Sequence, residues 1–279
     1  MKLRHALGVL GVGLCTGPML TTGVASAAPT HGATGHSFRT SRVVGAPLGP
    51  NGSVSTPVAM GSNNAGESTN WSGYADTGQS YSTVTSSWIQ PAATCASGEN
   101  SYSSFWVGLD GDGSQTVEQT GTDADCSTGK PTYYAWYEFF NAADPAGTPS
   151  YDYTDPVKPG DQFTATSTYQ GGTSYNETIT DNTEGWSEST NGTDAGTQAS
   201  AEVIAEAPSS VSGSTLQRLP LANFGKVDFA GSTVNSQPFG SVGNTNALNM
   251  YNSSRTTEDA SASDLSGGTN FTDTWLASD

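Results

Sequence analysis

Histidine is nearly missing from this chain, and where it is missing matters more than how little there is. His5, His31 and His36 all precede residue 37. A chain processed beyond that point has no histidine. That excludes Ser-His-Asp and Cys-His nucleophilic mechanisms, a histidine general base and histidine-ligated zinc. Cysteine is also scarce, with only Cys15, Cys95 and Cys126. Bases are few: 9 Lys and Arg stand against 26 Asp and Glu, for a net charge of −17. From Asn70 onward the imbalance sharpens to 25 acids against five bases (Lys130, Lys158, Arg218, Lys226, Arg255), a net of −20. Such a surface argues against nucleic acid and anionic membranes as partners. It carries least self-repulsion at low pH, which suits an acidic medium. No stretch after residue 30 has the period of a long amphipathic helix, and none after the first twenty residues could span a bilayer.

Only 34% of residues are hydrophobic and 13% charged, a composition that disorder could also give. Six Trp, eleven Tyr and nine Phe are too many core-forming side chains for that. They sit in short aromatic and β-branched runs separated by Gly, Ser, Thr and Asn, the pattern of short strands joined by tight turns. The expected class is all-β, a single β-sandwich of the concanavalin-like or jelly-roll kind.

The chain opens with a basic Met1-Lys2-Leu3-Arg4-His5, an apolar run over residues 6–20 and a small-residue Ala25-Ser26-Ala27. This predicts a secretory signal peptide over residues 1–27 and a secreted, extracellular protein. Residues 28–68 carry Arg39 and Arg42 and a single acid, Glu67. They read either as a flexible linker or as a propeptide whose cationic surface covers an anionic cleft. The folded domain is expected over residues 69–279, as a monomer. Outside the cell, Cys95 and Cys126 form an even count and are expected to pair. Two free thiols or a two-cysteine metal site are the weaker alternatives. No metal and no cofactor is implied.

Strands are predicted near Trp71, over 84–89, 103–109 and 115–120, and over the aromatic run 133–140. Further ones are expected over 162–169, 175–181, 200–206, 219–229, 248–251 and 270–276, with a polar stretch after 181 and a Ser-rich loop after 206. In the aromatic run Glu138 shares one face with Tyr134, Trp136 and Phe140. Asp110-Gly111-Asp112-Gly113 lacks the Gly and Glu of a calcium-binding EF-hand loop, so a tight turn is the better reading. In Ala201-Glu202-Val203-Ile204-Ala205-Glu206 the two glutamates share one face of an otherwise apolar strand. A carboxylate there must be partnered or protonated. From spacing alone, solvated carboxylates and a surface Gln119 remain the plainer explanation.

Several segments, taken in order, resemble the glutamic peptidases, the eqolisin family. They are Asn70-Trp71, Phe105-Trp106-Val107-Gly108-Leu109-Asp110-Gly111, Glu118-Gln119-Thr120-Gly121, Trp136-Tyr137-Glu138, the Ala201–Glu206 run and Leu219-Pro220-Leu221-Ala222-Asn223-Phe224-Gly225. The resemblance implies two curved antiparallel sheets with a catalytic Gln119–Glu206 dyad. Trp71, Trp106, Asp110 and Glu138 become expected substrate-binding residues. The partners it implies are polypeptide substrates and the chain's own propeptide as inhibitor. Where fungal members carry Asp in a Tyr-Asp-Ala-Trp run, this chain has Tyr134. Two other readings use the same residues. A glycoside hydrolase would pair Glu138 with Glu202 or Glu206, and a carbohydrate-binding sandwich would use the Trp and Tyr rings as platforms.

Overall fold

The computed structural model describes residues 65–212 and 215–278 in full, and only the backbone of Ser37–Phe38 and Arg42–Val43 before them. The expected signal peptide lies outside the described residues, as does nearly all of the linker or propeptide. In chain order the strands are β1 Ser37–Phe38, β2 Arg42–Val43, β3 Gly66–Ser68, β4 Trp71–Thr77, β5 Thr83–Ile89, β6 Ser104–Leu109 and β7 Thr116–Ser127. Then come β8 Lys130–Asn141, β9 Tyr151–Asp152, β10 Gln162–Gly171, β11 Ser174–Asp181, β12 Trp186–Thr193, β13 Ser200–Glu206 and β14 Ser209–Ser212. The last are β15 Thr215–Arg218, β16 Lys226–Val234, β17 Gln237–Pro238, β18 Asn244–Tyr251, β19 Glu258–Ala262 and β20 Phe271–Trp275.

One antiparallel layer runs β12-β11-β10-β5-β16-β20. The other runs β18-β4-β13-β6-β7-β8-β9, with β1 on its far edge. Strand β19 pairs with both β18 and β20, so the layers join along one side. Among the described residues no pairing joins β12 to β9 on the other side. The result is a sandwich, as expected.

Alternation along each strand decides what fills the space between the layers. Phe105, Val107 and Leu109 of β6 and Ala201, Val203 and Ala205 of β13 point inward. They meet Val84 and Trp88 of β5, Phe163 of β10 and Phe229 of β16. The intervening residues of the second layer point the other way. Trp71, Trp106, Trp136 and Ile204 form a second apolar cluster there, closed by Leu216 of the β14–β15 hairpin.

The longest pairing, β7 with β8, turns at Thr128-Gly129, where both residues have positive φ (52° and 79°). Two such residues between right-twisted strands make the tight hairpin turn that fixes register. That register places Gln119 opposite Glu138. The Cys95–Cys126 disulfide forms as expected, with 5.5 Å between Cα atoms, and ties the end of β7 to the preceding loop.

Several boundaries differ from expectation, for readable reasons. The stretch after residue 206 is not a plain loop, because Val211 and Leu216 give the β14–β15 hairpin an apolar face to bury. Polar β12 is a strand because β11 supplies its ladder and Trp186 packs on Phe163. Residues 219–225 are mostly irregular, held by isolated bridges at Leu221 and Asn223, and the strand starts at Lys226.

Candidate active site

The outward face of the second layer is organised in rows of side chains opposed across neighbouring strands. Trp71, Glu206, Ser104, Asp123 and Tyr134 form one row. Gly73, Ile204, Trp106, Gly121 and Trp136 form the next. Ala75, Glu202, Gly108, Gln119 and Glu138 form the third. Gln119 and Glu206 therefore share one face, two strands and two rows apart.

Trp106 occupies the diagonal between them. Its indole Nε1 donates to Glu206 Oε2 at 3.1 Å. Its far edge lies beside Gly108, where an added Cβ would approach both the Trp106 ring (2.9 Å) and Gln119 Cβ (3.1 Å). Gly121 is needed for the same reason, since a Cβ there would sit 2.6 Å from Trp106 Cβ. Trp71 meets Trp106 edge to face, with centroids 5.0 Å apart, and stiffens the indole.

Glu206 takes its second donor from Asn70, whose Nδ2 lies 3.1 Å from Oε1. Asn70 is itself set by Ser68, whose hydroxyl donates to Asn70 Oδ1 and accepts from the Trp71 amide. Two N–H donors on one buried carboxylate hold it in a fixed orientation. Gln119 Nε2 donates to Glu138 Oε2 at 3.3 Å, so Glu138 orients the amide. Gln119, Glu138 and Glu206 are all fully buried.

Glu202, four residues before Glu206 on the same face, differs. Burial pushes its carboxyl well above the ordinary range, and Asp112 and Asp110 reinforce the rise. The Ser200 hydroxyl and the Asp112 backbone oppose the rise, without making a well-formed hydrogen bond to either oxygen. Asp110 does not join the site through its side chain. Its carboxylate accepts from the backbone N–H groups of Gln198 (2.9 Å) and Ala199 (2.8 Å) and from Thr197 Oγ1 (3.1 Å), pinning that loop to the turn after β6.

At the other end of the face lies a group of acids not singled out from the sequence. Trp136 Nε1 donates to Asp123 Oδ1 at 2.6 Å, and the Tyr134 hydroxyl reaches both Asp123 and Asp125. The alternation Asp123-Ala124-Asp125 beside Tyr134 was the signal available. Asn70 was legible as part of a motif but not as a donor. Among the described residues no group of three His, Cys, Asp or Glu is placed to hold a metal ion, and no helix is long and apolar enough to cross a membrane.

This arrangement has relatives. The model of the Peptidase A4 family matches residues 69–275. Scytalidoglutamic peptidase, solved with a transition-state analogue inhibitor, superposes with a TM-score of 0.63 at 25% identity, over 75% of this chain and 98% of that one. Aspergilloglutamic peptidase from Aspergillus niger gives a TM-score of 0.51 at 26% identity, over 63% of this chain and 99% of that one. Aspergillopepsin-2 of Aspergillus niger is 30% identical over 126 residues, 38% of this chain. The match spans 43% of that relative's length, so less than half of it is aligned. The segments that carried the resemblance all fall inside the matched span or at its edge, and the sandwich is shared. The chain belongs to the Peptidase A4 family, the glutamic peptidases.

Proposed function

We propose that this protein is a secreted acid endopeptidase that hydrolyses peptide bonds with Gln119 and Glu206. The observation that carries this reading is the setting of Glu206. It is a buried carboxylate held by the Trp106 indole and the Asn70 amide, on the same face as Gln119. Ionised Glu206 takes a proton from a water molecule as the water attacks the scissile carbonyl. It then returns a proton to the leaving nitrogen. The Gln119 amide donates to the developing oxyanion, and its long bond to Glu138 is weak enough to give way. Trp71 and Trp106 supply the apolar wall against which a substrate backbone is desolvated.

The route to the mature enzyme is part of the same proposal. Residues 1–27 direct export, residues 28–68 form a pro-segment that inhibits the cleft, and the mature domain acts as a monomer. Support comes from β1 and β2, the backbone pieces described in that segment. They pair with β9 and β14, on either side of the face that carries Gln119 and Glu206. N-terminal sequencing of active secreted protein is expected to give a start near residue 69; a start near Ala28 overturns the pro-segment. Family membership weighs against the glycosidase and carbohydrate-binding readings, in which Gln119 would have no part.

The test is cleavage of an unfolded protein between pH 2 and 7. Wild type should peak in acid, and Glu206→Gln should lose activity by at least about 10³-fold with its fold intact. Full activity in the variant refutes the assignment.

A further inference from the structure

Strands β1 and β2 do more than fill space: each adds to a sheet edge. Ser37 and Phe38 pair antiparallel with Asp152 and Tyr151 of β9. Arg42 and Val43 pair antiparallel with Ser210 and Ser209 of β14. Only Arg39, Thr40 and Ser41 separate the two pieces in sequence. The two edges belong to different sheets and flank the rows that hold Gln119 and Glu206. Strand β9 follows β8 at the margin of the second layer, and β14 begins three residues after Glu206.

We infer that these two edges are the main-chain recognition surface for substrate. An extended peptide pairs with β9 at one end and β14 at the other, and its middle lies over Gln119 and Glu206. This rests on the peptidase reading above and adds to it where, and by what means, the substrate backbone is held. Chain length fits. Ser37 to Val43 is seven residues and meets both edges. A peptide of about seven residues therefore engages both edges at once, whereas one of four or five engages only one. Main-chain pairing supplies affinity without sequence demand, as in other strand-addition complexes.

Charge decides the side chains that suit the β9 end. Asp152 of β9 pairs with β1, and Asp123 and Asp125 lie on the same face of β7, on the far side of β8. All three are buried and acidic. The segment that supplies β1 and β2 carries Arg39 and Arg42 and, before Glu67, no acid. The occupant is thus an extended polypeptide with a basic residue near its β9 end.

The experiment uses residues 65–279 carrying Glu206→Gln, so that binding is read without turnover. A domain matching 75% of this chain makes up 98% of the solved scytalidoglutamic peptidase chain. Far-UV circular dichroism and tryptophan emission confirm folding of the variant. The probe is the peptide Ser-Phe-Arg-Thr-Ser-Arg-Val, followed by calorimetry. N-methylating its end residues in turn removes the pairing amides, and binding is expected to fall about 5- to 10-fold for each amide that pairs. Trimming either end to leave four residues should cost at least about 30-fold. Replacing both arginines by glutamate should abolish detectable binding, and by alanine should weaken it about 10-fold. If methylation and trimming leave affinity unchanged, the edge proposal is wrong, even for an enzyme that cleaves proteins. If the pattern holds but wild type cleaves nothing at any pH, the edges stand and the peptidase reading falls.

Discussion

Glu202 and Glu206 lie on one strand, on one face, four residues apart, and both are fully buried. Their surroundings nevertheless differ in kind. Glu206 meets two N–H donors, from Asn70 and Trp106. Glu202 faces Ala75 and Gly108, which offer no side-chain donor, has only loose approaches from the Ser200 hydroxyl and the Asp112 backbone, and stands near the Asp110 and Asp112 carboxylates. A buried carboxylate is tolerated as an anion when donors replace its water and as a neutral acid when they do not. One strand thus presents one carboxylate held by two N–H donors and one whose burial favours the protonated form. What separates them lies on other strands.

The strongest way to break that contrast is to take a donor from Glu206. Trp106→Phe keeps the ring in the cluster with Trp71 but deletes the N–H bound to Oε2. We expect kcat on an acid-denatured protein substrate to fall about 10- to 100-fold with KM changed much less, the cost of one donor in a preorganised site. A loss seen only in KM would mean that the indole serves substrate packing and not the carboxylate.

The interior shows the protonated kind more fully. Burial and the neighbouring Asp110, Asp194 and Glu177 push Glu118 up to about 10, and burial alone lifts Glu177 well above its usual range. Ser167 has one hydroxyl proton for two acceptors, Glu177 Oε1 at 2.7 Å and the Glu118 carbonyl at 3.0 Å. Both bonds are satisfied at once only if Glu177 is protonated and donates to Ser167, which donates onward. A folded-state value raised above the unfolded one means that the stabilisation is complete below about pH 4.5 and is lost as pH climbs toward 10. Each such group contributes a slope of about 1.4 kcal/mol per pH unit across that window. Thermal stability should therefore decline from pH 4 to pH 8. Glu118→Gln, neutral at every pH, should flatten the decline while costing little at pH 4. A stability maximum near pH 7 in wild type would contradict the assignment.

Much of the fold was legible because burial and alternation are local properties. The 200–206 strand, the β10–β11 hairpin and the aromatic β8 all show in the period of their own residues. Parity placed Glu202 and Glu206 on one side of their strand, whereas the pairing of Glu206 with Gln119 was implied by the family resemblance and rests on the registers of β13, β6 and β7. Strand β12 and the β14–β15 hairpin were not, because partners and not composition make them strands. Asp110 was legible from the sequence only in part. Its neighbours Gly111 and Gly113 speak for the turn, but the three donors that occupy its carboxylate come from residues 197–199, far along the chain. The Asp123–Tyr134–Asp125 group depends on the β7–β8 register, which no single strand encodes.

The mildest change tests Glu202 itself. Glu202→Gln replaces a neutral acid by a neutral amide of the same size, at a site flanked by Ala75 and Gly108. If Glu202 is protonated throughout the acid range, proteolysis at pH 3–4 should stay within about threefold of wild type, since nothing charged has been removed. Stability should hardly change in acid and should rise relative to wild type toward neutral pH, where the native carboxyl is driven to ionise in a site that disfavours charge. Proteolysis in acid and melting temperature at two pH values read both effects. Loss of activity as severe as in Glu206→Gln would place Glu202 in the reaction, and the donors around Glu206 would no longer distinguish the two glutamates.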